Sequence, residues 1–187
     1  MTINKGKVTC ILVSGAAGVG KDTVSDLLAV HLEHGGLTVS RDSFAISLKL
    51  IARRFMGWDG KKDDRGRSLL QGLGELGREY DEYTWCKIVK DRAEECVFQD
   101  QVLIISDWRY MNEKQFFEDD LMYDVVTVKV VGNRAYGLSD EQKLHASEKD
   151  ISENMRQDDF DLVIPNSESL EKLQDKVIWI ANMLIGE

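Results

Sequence analysis

The stretch Val8-Thr9-Cys10-Ile11-Leu12-Val13-Ser14-Gly15-Ala16-Ala17-Gly18-Val19-Gly20-Lys21-Asp22-Thr23 decides how the rest of the chain is read. Its apolar start, Val8 to Val13, has the length and bounded character of a buried strand, and helical spacing begins directly behind the glycines. Residues without bulky side chains let the backbone curl round an anion and turn its N–H groups inward. The helix that follows offers unpaired N–H groups and the positive end of its dipole. Lys21 adds a mobile cation. Strand, glycine-rich loop, lysine, helix is the arrangement that cradles the phosphates of a nucleoside triphosphate, with Gly15, Gly18, Gly20, Lys21 and Thr23 as the expected contacts.

One position departs from the common form of this loop. The residue after the lysine is ordinarily Ser or Thr, whose hydroxyl binds magnesium; here it is Asp22, and a hydroxyl arrives only at Thr23. A carboxylate repels phosphates unless a cation lies between them. Asp22 is therefore expected to contact Mg2+, directly or through water, or to meet a substrate hydroxyl. The plainer alternative is an acid that favours the first helical turn.

The 187 residues suit one domain with a sizeable core, and 43% hydrophobic with 30% charged residues is ordinary globular composition. A formal net charge of -9 argues against broad nucleic-acid binding. Cys10, Cys86 and Cys96 lack metal-ligand spacing and read as packed free thiols, which points to a reducing, cytoplasmic compartment. Neither a signal-peptide pattern nor a run of membrane-spanning length is present, so no membrane partner is expected.

Behind the loop, Val24, Leu27, Leu28 and Leu32 predict a helix over about 22–34, stopped by Gly35-Gly36. A short strand over 37–41 and a helix over 44–56 follow. The segment 57–67, dense in glycine and charge, reads as an exposed, mobile loop. Helical spacing returns over 68–77, although Gly72, Gly74 and Gly77 weaken it; three glycines there imply close approach of either a ligand or another helix. A further helix covers 83–98. His31 and His34 read as helix-surface residues rather than ligands.

The run Val102-Leu103-Ile104-Ile105-Ser106-Asp107-Trp108-Arg109 reads as a buried parallel strand with polar groups at its C-terminal end, where open α/β sheets bind ligands. Asp107 and Arg109 are two apart and point to one side of an extended stretch. Asp107 could hold a magnesium-bound water or a hydroxyl and Arg109 a phosphate, or the two could form an ion pair that orders the loop. A short helix opens at Asn112 and Glu113, and a valine-rich strand covers 124–131. The polar stretch 132–158 is long for a connection and resembles a lid. The last strand, 160–164, turns at Pro165-Asn166 into an amphipathic helix over 167–184, capped by Asn166 or Ser167.

Strands alternate with helices throughout. The expected fold is thus a doubly wound α/β domain spanning 1–187, with about five parallel strands and helices on both faces. The insertion over 43–100 is too long for a simple crossover and is expected to stand over the strand C-termini.

In this order the residues resemble the phage-type deoxynucleoside monophosphate kinases, within the wider group of P-loop nucleoside monophosphate kinases. The resemblance runs through SGAAGVGKDT, Phe44-Ala45 with Lys49, Leu70-Gln71-Gly72-Leu73-Gly74, Trp85, Asp107-x-Arg109 with Glu113, His145-x-Ser147-Glu148, and Asp161 to Asn166. It implies ATP as phosphoryl donor, Mg2+, and a deoxynucleoside monophosphate (dNMP) acceptor, in the cytoplasm of a bacterial or phage-infected cell. It implies Lys21 and Arg109, with Asp107 and Asp22, as the catalytic set, and a monophosphate pocket of Gln71, Gly74, Trp85, Asp107, Arg109 and Glu113. Arg134 resembles a lid arginine, and Asn166 lies where such kinases meet the adenine. A homodimer is compatible with the resemblance. The chain departs from it in a shorter insertion and in Ala17 and Gly18, where relatives can be basic. Two other readings share the loop: a P-loop kinase for an acceptor such as phosphomevalonate or dephospho-coenzyme A, and a nucleotide-binding switch or accessory ATPase.

Overall fold

A computed structural model of the chain describes residues 3, 6–97, 102–132 and 155–186. Five strands, β1 (Val8–Ser14), β2 (Val39–Asp42), β3 (Val102–Ile105), β4 (Tyr123–Val131) and β5 (Leu162–Pro165), form one sheet in the order β2-β3-β1-β4-β5. Every pairing is parallel, with Leu12 of β1 facing Ile105 of β3 and Thr127 of β4. Six α-helices are described: α1 (Lys21–His34), α2 (Ala45–Met56), α3 (Asp64–Tyr80), α4 (Thr84–Val97), α5 (Met111–Glu118) and α6 (Leu170–Ile185).

Alternation along β1 shows why both faces are covered. Ile11 and Val13 join one core layer with Val24, Leu28 and Leu32 of α1 and Val177, Ile180 and Leu184 of α6. Cys10 and Leu12 join the other with Trp85 and Val89 of α4, Phe117 of α5, and Trp108. All seven residues of β1 are buried, as a central strand covered on both sides requires. Pro165, which has no N–H to give a ladder, stands at the end of the edge strand β5. Burial pushes the Cys86 thiol up to about 12 and raises Cys10 as well, so both buried thiols stay protonated and unreactive at neutral pH.

The helices differ from their sequence reading in three places. Residues 57–63 form a bonded turn: Gly57 closes α2 in the left-handed region, the Trp58 indole donates to Lys61 O at 2.9 Å, and Lys61 N–H donates to Asp59. Next, α3 begins at Asp64 instead of Ser68, because Asp63 caps it by accepting from Gly66 N–H at 2.8 Å. The helix then runs through all its glycines. At Gly77 the close neighbour is another helix, since a Cβ there would lie 2.4 Å from the Trp85 ring of α4; at Gly72 a Cβ would meet nothing within 4 Å. Finally, the cap of the last helix is Ser169, which accepts from Lys172 N–H, and not Asn166 or Ser167.

The start of α2 is pinned from two sides. Arg92 of α4 donates Nε and Nη2 to the two Asp42 oxygens at 2.9 and 2.8 Å, and also reaches Ser47 Oγ and Ser43 O. Asp107, just beyond β3, accepts the N–H groups of Phe44 and Ala45 at 2.8 and 3.0 Å. Most of the 132–158 stretch, with Arg134 and the 145–148 motif, lies outside the described residues.

Gly77→Ala should drive a methyl into the Trp85 ring. Overpacking of this kind costs about 1–3 kcal/mol, so the urea midpoint of the variant is expected to fall, even though alanine is the better helix former.

Candidate active site

Because β1 and β3 are adjacent and parallel, the loop after each emerges at the same edge of the sheet. The two loops are also joined directly. Trp108 N–H donates to Val13 O at 3.1 Å, and Ser14 Oγ donates to Trp108 O at 2.7 Å. Gly15 and Arg109 thus follow two residues that are hydrogen-bonded to each other. The structure thus brings the glycine-rich loop and the Asp107-x-Arg109 segment together.

The loop itself depends on its glycines. Gly15 (φ 149°), Gly18 (φ 79°) and Gly20 (φ 92°) occupy backbone conformations that other residues rarely adopt. At Gly15 a Cβ would lie 2.4 Å from Val130 O, and at Gly20 it would lie 2.6 Å from the Asn166 amide nitrogen. Gly20 precedes α1 and has no side chain with which to cap it, which leaves that helix end to other acceptors. The Lys21 ammonium folds back over the loop and donates to Gly15 O and Ala16 O. Asp22 and Thr23 are exposed on the first turn of α1.

Asn166 is buried, and it is bonded to the glycine-rich loop, a partner that its position in the sequence does not suggest. Its side-chain amide donates to Val19 O inside the loop at 2.7 Å, and its backbone N–H donates to Val131 O at 2.6 Å. A Cβ on Gly132 would lie 2.5 Å from Asn166 O. The residue fastens the loop to the ends of β4 and β5, and tight backbone contact on both sides fixes where its amide points.

Beyond β3, two carboxylates lie near cations. Burial raises the Asp107 pKa, opposed by the N–H groups of Ala45 and Phe44 and by the charges of Arg109 and Lys49. Glu113, only 5% exposed, accepts both Arg109 N–H at 2.9 Å and Tyr110 N–H at 3.1 Å through Oε2. Burial pushes it up to about 7, aided by Asp107 and opposed by those N–H groups and by Arg78. Glu113 thereby sets the backbone from which the Arg109 side chain projects. The Arg78 guanidinium of α3 lies 4.4 Å from the centre of the Tyr110 ring, beside Gly74.

Of the residues expected to line this pocket, Gln71 is exposed on α3, while Trp85 is buried between α3 and α4 with its indole donating to Gly74 O at 3.0 Å. Arg78 went unnoticed in the sequence. The signal was available: Gln71, Gly74 and Arg78 stand at i, i+3 and i+7 and so share one helix face. Among the described residues no cluster of three or more His, Cys, Asp or Glu could hold a metal. Magnesium carried in with phosphates and waters needs no such cluster. No described helix is long and apolar enough to cross a membrane.

No protein-family model and no curated protein sequence matches the chain. Solved structures do. A gluconokinase from Sinorhizobium meliloti 1021 is similar over 100% of this chain and 96% of its own, with 13% identity and a TM-score of 0.54. A putative kinase from Chloroflexus aurantiacus j-10-fl is similar over 96% of this chain and 97% of its own, with 15% identity and a TM-score of 0.57. At such identities the likeness establishes the fold: one parallel five-stranded sheet, flanked by helices, in the P-loop kinase architecture.

Two outcomes are expected from this geometry. A carboxyl held near 7 when folded, against about 4.5 unfolded, keeps a proton that the unfolded chain has already released. Stability should therefore fall as pH rises from about 4.5 to 7, and Asp107 adds to the same slope. Glu113→Gln should flatten that interval by up to ~3 kcal/mol, measured as urea unfolding at a series of pH values. Asn166→Ala removes a buried bond and should cost about 1–3 kcal/mol, read in the same assay at one pH.

Proposed function

We propose that the protein transfers the γ-phosphoryl group of ATP to a deoxynucleoside monophosphate, giving ADP and the diphosphate. The observation that carries this reading is the juxtaposition just described: a glycine loop with its lysine, bonded through Ser14 and Trp108 to a segment whose Arg109 is joined by Arg78 and Lys49. A loop for one anion beside a cluster of cations suits a reaction between two phosphorylated substrates.

Phosphoryl transfer asks the protein for alignment and charge neutralisation more than for covalent chemistry. In this reading the loop and Lys21 hold the ATP phosphates. Arg109 clamps the acceptor phosphate, its backbone held by Glu113, and Arg78 and Lys49 add charge. Gln71 and Gly74 lie along the acceptor, and Trp85 supports them from beneath. Asn166 acts on ATP through the loop that it fastens, in addition to lying on the adenine side. Magnesium, when bound with the nucleotide, neutralises phosphate oxygens. Asp22 and Thr23, exposed at the start of α1, would hold it. Asp107, whose oxygens already take two N–H groups, is suited to an outer contact through water. The insertion 43–100 serves as the acceptor side, and 132–158 with Arg134 as the closing segment. The setting is a cytoplasm, and the assembly is a homodimer.

A second reading keeps fold and donor but changes the acceptor. Lys49, Arg78 and Arg109 would receive a carboxylate as well as a phosphate, and one structural neighbour is a gluconokinase. ADP release from ATP and magnesium should therefore be measured against dNMPs, NMPs, gluconate and other anionic acceptors. Strong stimulation by dNMPs is the expected outcome, with Lys21→Ala abolishing it and Arg109→Ala lowering turnover on the order of 100-fold. Stimulation by gluconate alone would move the protein to the second reading. Turnover of Arg109→Ala within a few-fold of the parent would remove that residue from the mechanism.

A further inference from the structure

Lys129, near the C-terminal end of β4, stands directly across from Ser14, the residue that leads into the glycine-rich loop. Its neighbours Val128 and Val130 belong to the core layer shared with α1 and α6, so alternation turns Lys129 to the opposite face of the sheet. That is the face of Leu12, Trp108 and Phe160. There the Lys129 ammonium lies 4.9 Å from the centre of the Phe160 ring, and Phe160 stands 5.2 Å, centre to centre, from the Trp108 ring. The ring is held in place by the residue beside it: Asp161 N–H donates to Thr127 Oγ1 at 2.9 Å, and that hydroxyl donates to Asp161 Oδ2 at 2.7 Å. Lys129 is half-buried, and among the described residues no carboxylate or carbonyl accepts from it. A ring attracts a cation without neutralising it, and an ammonium drawn part-way out of water with no anion beside it is destabilised. An anion bound at this edge of the sheet would offset that.

We infer that Lys129 contacts the terminal phosphate of the bound nucleoside triphosphate and neutralises that group as it is transferred. The strand order decides this. β1 lies between β3 and β4, so Arg109 follows the strand on one side of Ser14 and Lys129 stands on the strand on the other. A phosphoryl group that leaves the loop toward Arg109 crosses the edge where Ser14 is bonded to Trp108. It is then flanked by a cation from the β3 side and a cation from the β4 side, which spreads neutralisation over its equatorial oxygens. In the transfer, the bond from the γ-phosphorus to the β,γ-bridging oxygen breaks with its electron pair going to ADP. The bond to the acceptor oxygen forms, and Lys129 keeps its protons throughout. Its long apolar stem can stay on Phe160 while the ammonium turns to the phosphate. This role rests on the ATP site proposed above and is independent of the acceptor's identity.

Isothermal titration calorimetry of the full chain, with magnesium and either ADP or the β,γ-imido analogue of ATP, tests it. Lys129→Met keeps an apolar stem over Phe160 and removes the charge. It is expected to weaken the ATP analogue by about tenfold while ADP binding stays within about twofold. Lys129→Arg should restore most of the analogue's affinity. With whichever acceptor stimulates ADP release, kcat of Lys129→Met should fall at least as far as the analogue's affinity. A lysine that only covers Phe160 would act on both nucleotides alike. An equal loss for the two, no loss for either, a loss that Lys129→Arg does not lessen, or an unchanged kcat would each overturn the inference and leave the nucleotide site standing. A parent that binds neither nucleotide would overturn that site, and the role of Lys129 with it.

Discussion

The bond from Ser14 Oγ to Trp108 O, with its companion from Trp108 N–H to Val13 O, is the constraint on which the rest of the site depends. Parallel pairing alone brings β1 and β3 side by side, but their loops could still diverge. This pair of bonds holds them together one step beyond the sheet, in a place closed to water because Ser14 and Trp108 are fully buried. Everything downstream inherits that alignment. Asp107 is fixed on one side of Trp108 and holds α2; Arg109 is fixed on the other side and is held by Glu113. A buried hydroxyl that lost its partner would carry a desolvation cost, so the connection is self-enforcing.

The electrostatics follow from the same arrangement. Glu113 is buried and Asp107 half-buried, both are raised in pKa, and both accept backbone N–H groups. The backbone N–H groups and the nearby cations Arg109, Arg78 and Lys49 oppose that rise. A site lined with unbuffered acids would repel a phosphate. A chain of net charge -9 thus still gathers cations beside the loop after β3.

The sheet and the loop were legible because their signals are local. An apolar run with Gly15, Gly18, Gly20 and Lys21 behind it allows little else, and the alternation of strands with helices set the topology class. The insertion was less legible. A glycine-rich helix contradicts helix propensity, and only contact with Trp85 and the cap at Asp63 explain why α3 spans 64–80. Asn166 shows the same limit at the site. Its bond to Val19 joins residues 147 apart in sequence, and no periodicity or spacing encodes such a partner. Arg78 was within reach of a helical-wheel reading but was hidden among glycines that drew attention to the backbone.

The double anchoring of α2 has a mechanical consequence. Asp42, Asp107 and Arg92 all hold its first turns, and none of them holds its far end. The helix is therefore a lever with a fixed fulcrum. At about 1.5 Å per residue it is roughly 18 Å long, so a tilt of about 10° about the anchored end carries Met56 by roughly 3 Å. Such a tilt would move its tip, next to the Trp58 turn, further than Lys49, which lies nearer the anchored end. A tilt of that size would leave the charges nearest the two loops in register.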